Sequence, residues 1–415
     1  MNVEQFISAR SFSSFSKTFT KSIIYIAIVA VALSLAVILL SQSIFTGFQR
    51  SIQDKIFGFW GHIHITDIGV NRSIEPIPMQ KNDSLIQAIT QYPYSEIKSV
   101  RAIEKWDPFV ILPGIAQKES LASGLFFKGV DDSFHWDFLK EFIKKGSVIQ
   151  MRDSGYSRDI LLSEQISTQI KADTGMSITV SLVREGQIVK RKLKVCGIYK
   201  TGLEEYDSKF AIVDIRLLQT LLGWDKNQIT GIELFVSNIA EAEIISDQIY
   251  SEILPSQLYS ETIRSKYPNI FEWLALQDIN KIFILGLVLL VCIINMSTML
   301  LVLILERTYM IGVLTAIGMP FQRQRKIFLY YAGYIIIRGM LIGNLIGLGI
   351  AVIQFKTKIF KLSEADYYLS NVPVAMDPLP IILINVAFFI IILLVMLIPS
   401  WIVNRIKPVD AIKFS

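Results

Sequence analysis

The chain has 415 residues, enough for two or three soluble domains, yet 52% of them are hydrophobic and only 19% are charged. Mean hydropathy is +0.46 and net charge only +5. This composition excludes a disordered chain and a coiled coil, and two cysteines exclude a disulfide scaffold.

The charges are unevenly spread. None falls between Lys21 and Arg50, between Lys281 and Glu306, or between Asp377 and Arg405, and residues 327–355 hold only Arg338. A bilayer-crossing helix needs ~20 mostly apolar residues, so spans are predicted at 22–47, 279–305, 327–355 and 378–404. The first is too long for a signal-peptide core, and Ser41-Gln42-Ser43 is a poor cleavage site, so it is expected to stay as an anchor. Basic residues orient the spans: Arg10, Lys17 and Lys21 in segment 1–21, Arg307, Arg323, Arg325 and Lys326 in loop 306–326, and Arg405, Lys407 and Lys413 in tail 405–415. Four spans put these segments on one side, the cytoplasm, with both termini there. Lys356, Lys358 and Lys361 of loop 356–377 fall on the opposite side. The basic excess follows from these flanks and implies no nucleic-acid partner.

Between the first two spans lies a polar insertion, 48–278. Gly61–Ile65 alternates as a strand does, and Val100–Leu112 and Leu121–Val130 are further strands. Ile178–Val183 and Ile188–Ile198 flank Glu185-Gly186, a hairpin turn, while 162–171 and 239–253 have helical spacing. Strand-like segments on both sides of Ser133–Asp159 leave one lobe or two open. The fold class is an α-helical membrane protein with four transmembrane helices and a large α+β extracytoplasmic domain inserted between helices 1 and 2. No proline or turn cluster interrupts Phe271–Leu305, so one helix is expected to run from the domain into the second span. Cys196 and Cys292 are expected to stay unbridged, and His62 and His64, alternate residues of a strand with no third ligand nearby, are expected as a surface pair.

The chain lacks HExxH, GxSxG and CxxC, and no glycine is followed by lysine, so the phosphate-cradling GxxxxGK[ST] loop is absent. No catalytic, cofactor or metal site is expected. Any ATP-driven work must come from another chain. In the loop after the second span, Met310, Val313, Leu314 and Ile317 share one helical stripe, and Gly318, Met319 and Pro320 end the helix. Such a helix rests on the bilayer surface or inserts into a partner's groove. Gly339, Gly343 and Gly347 recur every four residues in the third span and predict a close packing face, within the bundle or between subunits. Arg338, mid-span beside them, must face a cavity, snorkel or pair. Ile44, Phe45 and Phe48 form an apolar wall where the first span ends.

Glu306-Arg307, Ile311-Gly312-Val313-Leu314 and Gly318 resemble the ER…IGVL…G signature of FtsX/MacB-type permeases, and Pro399-Ser400-Trp401 with Lys407-Pro408-Val409-Asp410-Ala411 resembles that superfamily's ending. Gly47-Phe48, Ile56-Phe57-Gly58, Ser163-Glu164-Gln165, Thr230-Gly231-Ile232, Ile270-Phe271 and Val374–Leu379 are similar to LolC/LolE-type lipoprotein-releasing permeases. The resemblance implies a permease subunit of an ABC transporter that extracts acylated lipoproteins from the inner membrane for a periplasmic carrier, by mechanotransmission. It implies a LolD-like cytoplasmic ATPase dimer, contacted through Glu306, Arg307, Met310, Gly312, Val313, Leu314, Ile317 and Gly318, a second permease subunit, and contact of Ile44, Phe45 and Phe48 with substrate lipid. The alternatives are a MacB-like efflux subunit, an FtsX-like regulator of a cell-wall hydrolase, or a non-transporting receptor or scaffold. The hairpin at 180–195 lacks the long, proline-bounded hook with which LolC-type domains recruit the carrier.

Overall fold

A computed structural model describes residues 4, 18–70, 76–97, 101–184 and 187–401. The Glu185-Gly186 turn, the start of the strand expected from Val100, most of segment 1–21 and the tail from 402 lie outside them. Among the described residues, four helices are long and apolar enough to cross a membrane. The first is Thr18–Trp60 and the second Pro268–Glu306, both reaching well past the apolar runs that announce them. The third is Phe321–Thr357, and the fourth begins at Pro378 and continues to Val395. The chain divides into a unit built around these spans and a second unit, Ser51–Glu272 with Leu362–Ser370.

In the membrane unit, Val31, Leu35, Met296, Leu300, Phe328, Tyr331, Ile335 and Ile392 form one apolar core. The opposite faces, including Phe283, Leu287, Leu345 and Leu383, are exposed, as lipid-facing residues must be. Asn344 and Asn385, on the third and fourth spans, exchange amide hydrogen bonds of 2.7 and 3.1 Å, so each apolar helix satisfies the other's polar group.

The second unit is organised on a ten-stranded mixed sheet. Its strands are β1 (Ile63–Asp67), β3 (Ile103–Lys118), β4 (Leu121–Val130), β5 (Ile143–Gly146), β6 (Asp159–Ser163), β7 (Ser177–Arg184), β8 (Gln187–Tyr199), β9 (Phe210–Asp214), β11 (Gly231–Val236) and β12 (Leu258–Thr262). The short strands β2 (Met79–Gln80) and β10 (Gln228–Ile229) form a separate pair. The order is β12-β1-β11-β3-β4-β9-β6-β8-β5, with β7 pairing β3 and β8. β3, sixteen residues long, is the common strand: its first half pairs with β11, its second with β4 and β7. One sheet therefore spans both sides of Ser133–Asp159. β7 and β8 form the expected hairpin, with Arg184 opposite Gln187.

Candidate functional site: coupling helix, apolar wall and buried charge row

The helix after the second span, Thr308–Ala316, starts anew at Arg307, whose φ of −102° and ψ of 18° break the preceding rod. It ends in a Schellman motif. Gly318, at φ +90°, donates its N–H to Thr315 O at 2.9 Å, and Met319 N–H reaches Leu314 O at 2.9 Å. Gln324 of the third span then donates to Met319 O at 2.8 Å and Thr315 Oγ1 at 3.0 Å. The short helix is thus tied at both ends to membrane helices.

Its apolar residues do not share one free stripe. Ile311 and Gly312 are buried, and Met310 and Leu314 pack on the membrane core. Val313 is half-buried, whereas Ile317 is 78% and Tyr309 58% exposed; Glu306 and Gly318 are exposed as well. Leu314 therefore belongs to the intramolecular contact, and Tyr309 and Ile317 are the large apolar groups offered outward. Helical periodicity finds an apolar helix but cannot divide its apolar residues between two neighbours.

Gly339, Gly343 and Gly347 face the first span of the same chain. A Cβ added at Gly339 would lie 2.6 Å from Val31 Cβ, at Gly343 2.7 Å from Ala32 O, and at Gly347 3.0 Å from Ala36 Cα. Arg338, one residue before this row, is exposed. Ile44, Phe45 and Phe48 are half-buried, and Phe48 packs edge-on against Trp273 at 5.6 Å. Gly47, between them, meets backbone: a Cβ there would lie 2.8 Å from Ala375 N. Ala375 donates to Ser43 O at 3.0 Å, and Arg50 pairs with Asp377 at 2.9 Å. The segment entering the fourth span is thus laid along the end of the first.

The domain holds a constellation that sequence reasoning missed. His64 opposes Glu233 in the β1–β11 register, and Glu233 opposes Asp107 in β11–β3. The expectation of a surface histidine pair is overturned: His64 is 1% exposed and His62 half-buried, its Nδ1 accepting from Val236 N at 2.9 Å. His64 Nε2 donates to Trp60 O at 2.8 Å and its Nδ1 lies 3.4 Å from Lys266 Nζ, which leaves neither nitrogen for a metal. Lys128, fully buried on β4, donates to Phe59 O, and its Nζ lies 2.7 Å from Glu233 Oε1 and 4.4 Å from the Trp60 ring centre. Lysine and histidine thus cover the carbonyls that end the first long helix, where the helix dipole is negative. Burial pushes Glu233 up to about 7 against the pull of Lys128. It also holds Lys128 and His64 below their usual values, the latter helped by Lys266 and Lys128. An acid inside the apolar run Gly231–Val236 was the available signal.

Residues 282–408 match the family model described as FtsX-like permease C-terminal. The chain is 21% identical to the lipoprotein-releasing system transmembrane protein LolC of Xylella fastidiosa (strain Temecula1), over 94% of this chain and 93% of that one. It is 22% identical to the lipoprotein-releasing system transmembrane protein LolE of Haemophilus influenzae, over 92% of both. Among solved structures, the periplasmic region of MacB from Actinobacillus actinomycetemcomitans aligns over 50% of this chain and 92% of its own, at 16% identity and a TM-score of 0.34. The loop after the second span and the last two spans thus lie in an FtsX-like permease C-terminal domain, and with similarity to LolC and LolE from end to end the chain is a permease subunit of an ABC transporter.

Proposed function

We propose that this subunit extracts acylated lipoproteins from the outer leaflet of an inner membrane and hands them to a periplasmic carrier, driven by a separate cytoplasmic ATPase dimer. In this reading it pairs with a second permease subunit. Segments 1–21, 306–326 and 405–415 face the cytoplasm, and 48–278 and 356–377 face the periplasm. Glu306 to Gly318 form the contact with the ATPase, with Tyr309 and Ile317 as its apolar anchors. Ile44, Phe45 and Phe48 contribute to the wall that meets substrate lipid.

The observation that carries this reading is the unbroken helix Pro268–Glu306. At ~1.5 Å per residue its 39 residues form a rod about 58 Å long. One end leads directly into the coupling helix and the other follows β12, so a displacement at Thr308–Ala316 has a stiff path along the chain. Shielding is required by energetics. At ~0.8 kcal/mol per CH₂, three acyl chains with about 45 methylenes would cost on the order of 36 kcal/mol to expose to water.

Reconstitution with the ATPase, an acylated lipoprotein and a soluble carrier tests the proposal. ATP-dependent transfer to the carrier is expected, and Ile317→Asp should abolish transfer while ATP hydrolysis and membrane insertion persist. Nucleotide-independent behaviour, or capture of an outer-membrane tunnel or a cell-wall hydrolase instead of lipoprotein, would overturn it.

A further inference from the structure

Residues 362–370 lie between the third and fourth spans in sequence, yet they pack with the sheet domain. This strap carries a short helix, Glu364–Tyr367, and is closed at its own base. Leu362 N–H donates to Ser370 O at 3.0 Å, and Lys361 and Asn371 form an antiparallel bridge just outside. The loop therefore holds its form without help from the domain surface. It commits little apolar area there: Leu369 is buried, whereas Tyr367 is 47% exposed.

Two lysines of the domain hold the strap, and both hold it in the same way. Lys200 lies 2.7 Å from Glu364 on the strap and 3.0 Å from Glu164 on the domain. Lys55 donates at 2.7 Å to Tyr368 O on the strap and also to Thr201 O on the domain. Each cation thus has one partner that would leave with the strap and one that would stay. A partly buried ammonium stripped of its partners is costly, and undocking strips neither lysine. Water can take over the rest, because Lys200 and Glu364 line a polar cleft of about 810 Å³ with Gln165, Glu204 and Asp207. The docked strap also carries strain. Tyr368 sits at φ +59°, a left-handed conformation unfavourable for a bulky residue, and its carbonyl is the one that Lys55 grips.

We propose that 362–370 is a reversible latch, docked on the domain through Lys55 and Lys200 in one state of the transport cycle and released in another. A permanent attachment needs no second partner for either cation. The latch rests on the chain being a permease subunit of an ABC transporter, and not on what is transported.

The test uses the full chain with its ATPase in nanodiscs, without lipoprotein, so failure of the transfer assay would not touch its result. Nitroxides at Gln165→Cys on the domain and Tyr367→Cys on the strap, both exposed positions, report docking as a distance by pulsed electron paramagnetic resonance. Cys196→Ser and Cys292→Ala remove the native thiols. One short distance is expected without nucleotide, and ATP with vanadate should add a longer one. Without nucleotide, Lys200→Met and Glu364→Gln should each raise the longer-distance fraction about two- to fivefold, the effect of one partly exposed ion pair. Glu164→Gln should not raise it, because it leaves Lys200 wholly to Glu364. A single distance unchanged in every nucleotide state would overturn the proposal. So would a longer distance dominating in the nucleotide-free wild type, or release by Glu164→Gln equal to that by Glu364→Gln.

Discussion

Replacing Lys128 with methionine probes how the first long helix is anchored in the domain. The substitution keeps most of the side-chain volume but removes the charge that lies 2.7 Å from Glu233 and the donor to Phe59 O. Glu233 is 1% exposed and would be left as a buried carboxyl without its counter-ion. Removing one member of a buried pair costs ~3–5 kcal/mol, which for a domain of this size corresponds to a fall in Tm of about 6–20 °C. Part of that penalty is relieved because Glu233, already pushed up to about 7, can take a proton. The assay is thermal unfolding of the detergent-solubilised chain at pH 8, with near-ultraviolet circular dichroism reporting the packed Trp60 and Tyr206 rings. The control is Lys128→Met with Glu233→Gln, which removes both charges and should restore more than half of the loss. A single variant as stable as wild type would refute this account, and so would a double variant less stable than the single.

The remaining predictions address packing and pH. Gly343→Ala places a methyl 2.7 Å from Ala32 O and should destabilise the bundle by ~1–3 kcal/mol; Gly349→Ala, with nothing within 4 Å of the added carbon, should be neutral or slightly stabilising. Equal thermal stability of the two would contradict the helix contact. Glu233, with its folded pKa raised, contributes stability that is present below its ordinary value of 4.5 and is lost as pH rises through about 7. His64, with its pKa depressed, contributes stability that is present above 6.5 and is lost on acidification. In wild type the two slopes oppose each other between pH 4.5 and 6.5, so Glu233→Gln should steepen the acid-side loss and flatten the curve above pH 6.5. Denaturant midpoints measured from pH 4.5 to 8 would show a parallel profile if this pairing of slopes is wrong.

The four spans were legible because hydropathy over ~20 residues is a property of one segment read alone. The β7–β8 hairpin was legible for a similar reason: Ile178–Val183 and Ile188–Ile198 alternate on either side of a short turn. What stayed hidden depends on partners distant in sequence. His64 looks like a strand-surface residue until β11 brings Glu233 opposite it and Lys266 closes the other side. Leu314 and Ile317 are equally apolar in sequence, yet one packs on the membrane core and the other is exposed. That division is set by how the Gly318 turn and the Gln324 amide hold the helix, not by its own pattern.

The short stretches that resemble LolC and LolE gain meaning from where they meet. Gly47 lies against the backbone of Pro373 and Ala375, within Val374–Leu379, and Arg50 pairs with Asp377 in the same segment. Glu164, within Ser163-Glu164-Gln165, is 3.0 Å from Lys200, which is 2.7 Å from Glu364. Lys55 donates to Thr201 O and, at 2.7 Å, to Tyr368 O. The segment 356–377, which the sequence presents as a plain connection between two spans, is therefore divided: Leu362–Ser370 belongs with the sheet domain, and Gln354 joins the two ends through Phe360 O and Val372 O, each at 3.0 Å. Partly exposed ion pairs of this kind contribute about 1 kcal/mol or less each, too little to explain the arrangement as stabilisation. Position is the better explanation. At Gly47 even a methyl group would meet backbone, so the sequence there is constrained by the closeness of two chain segments.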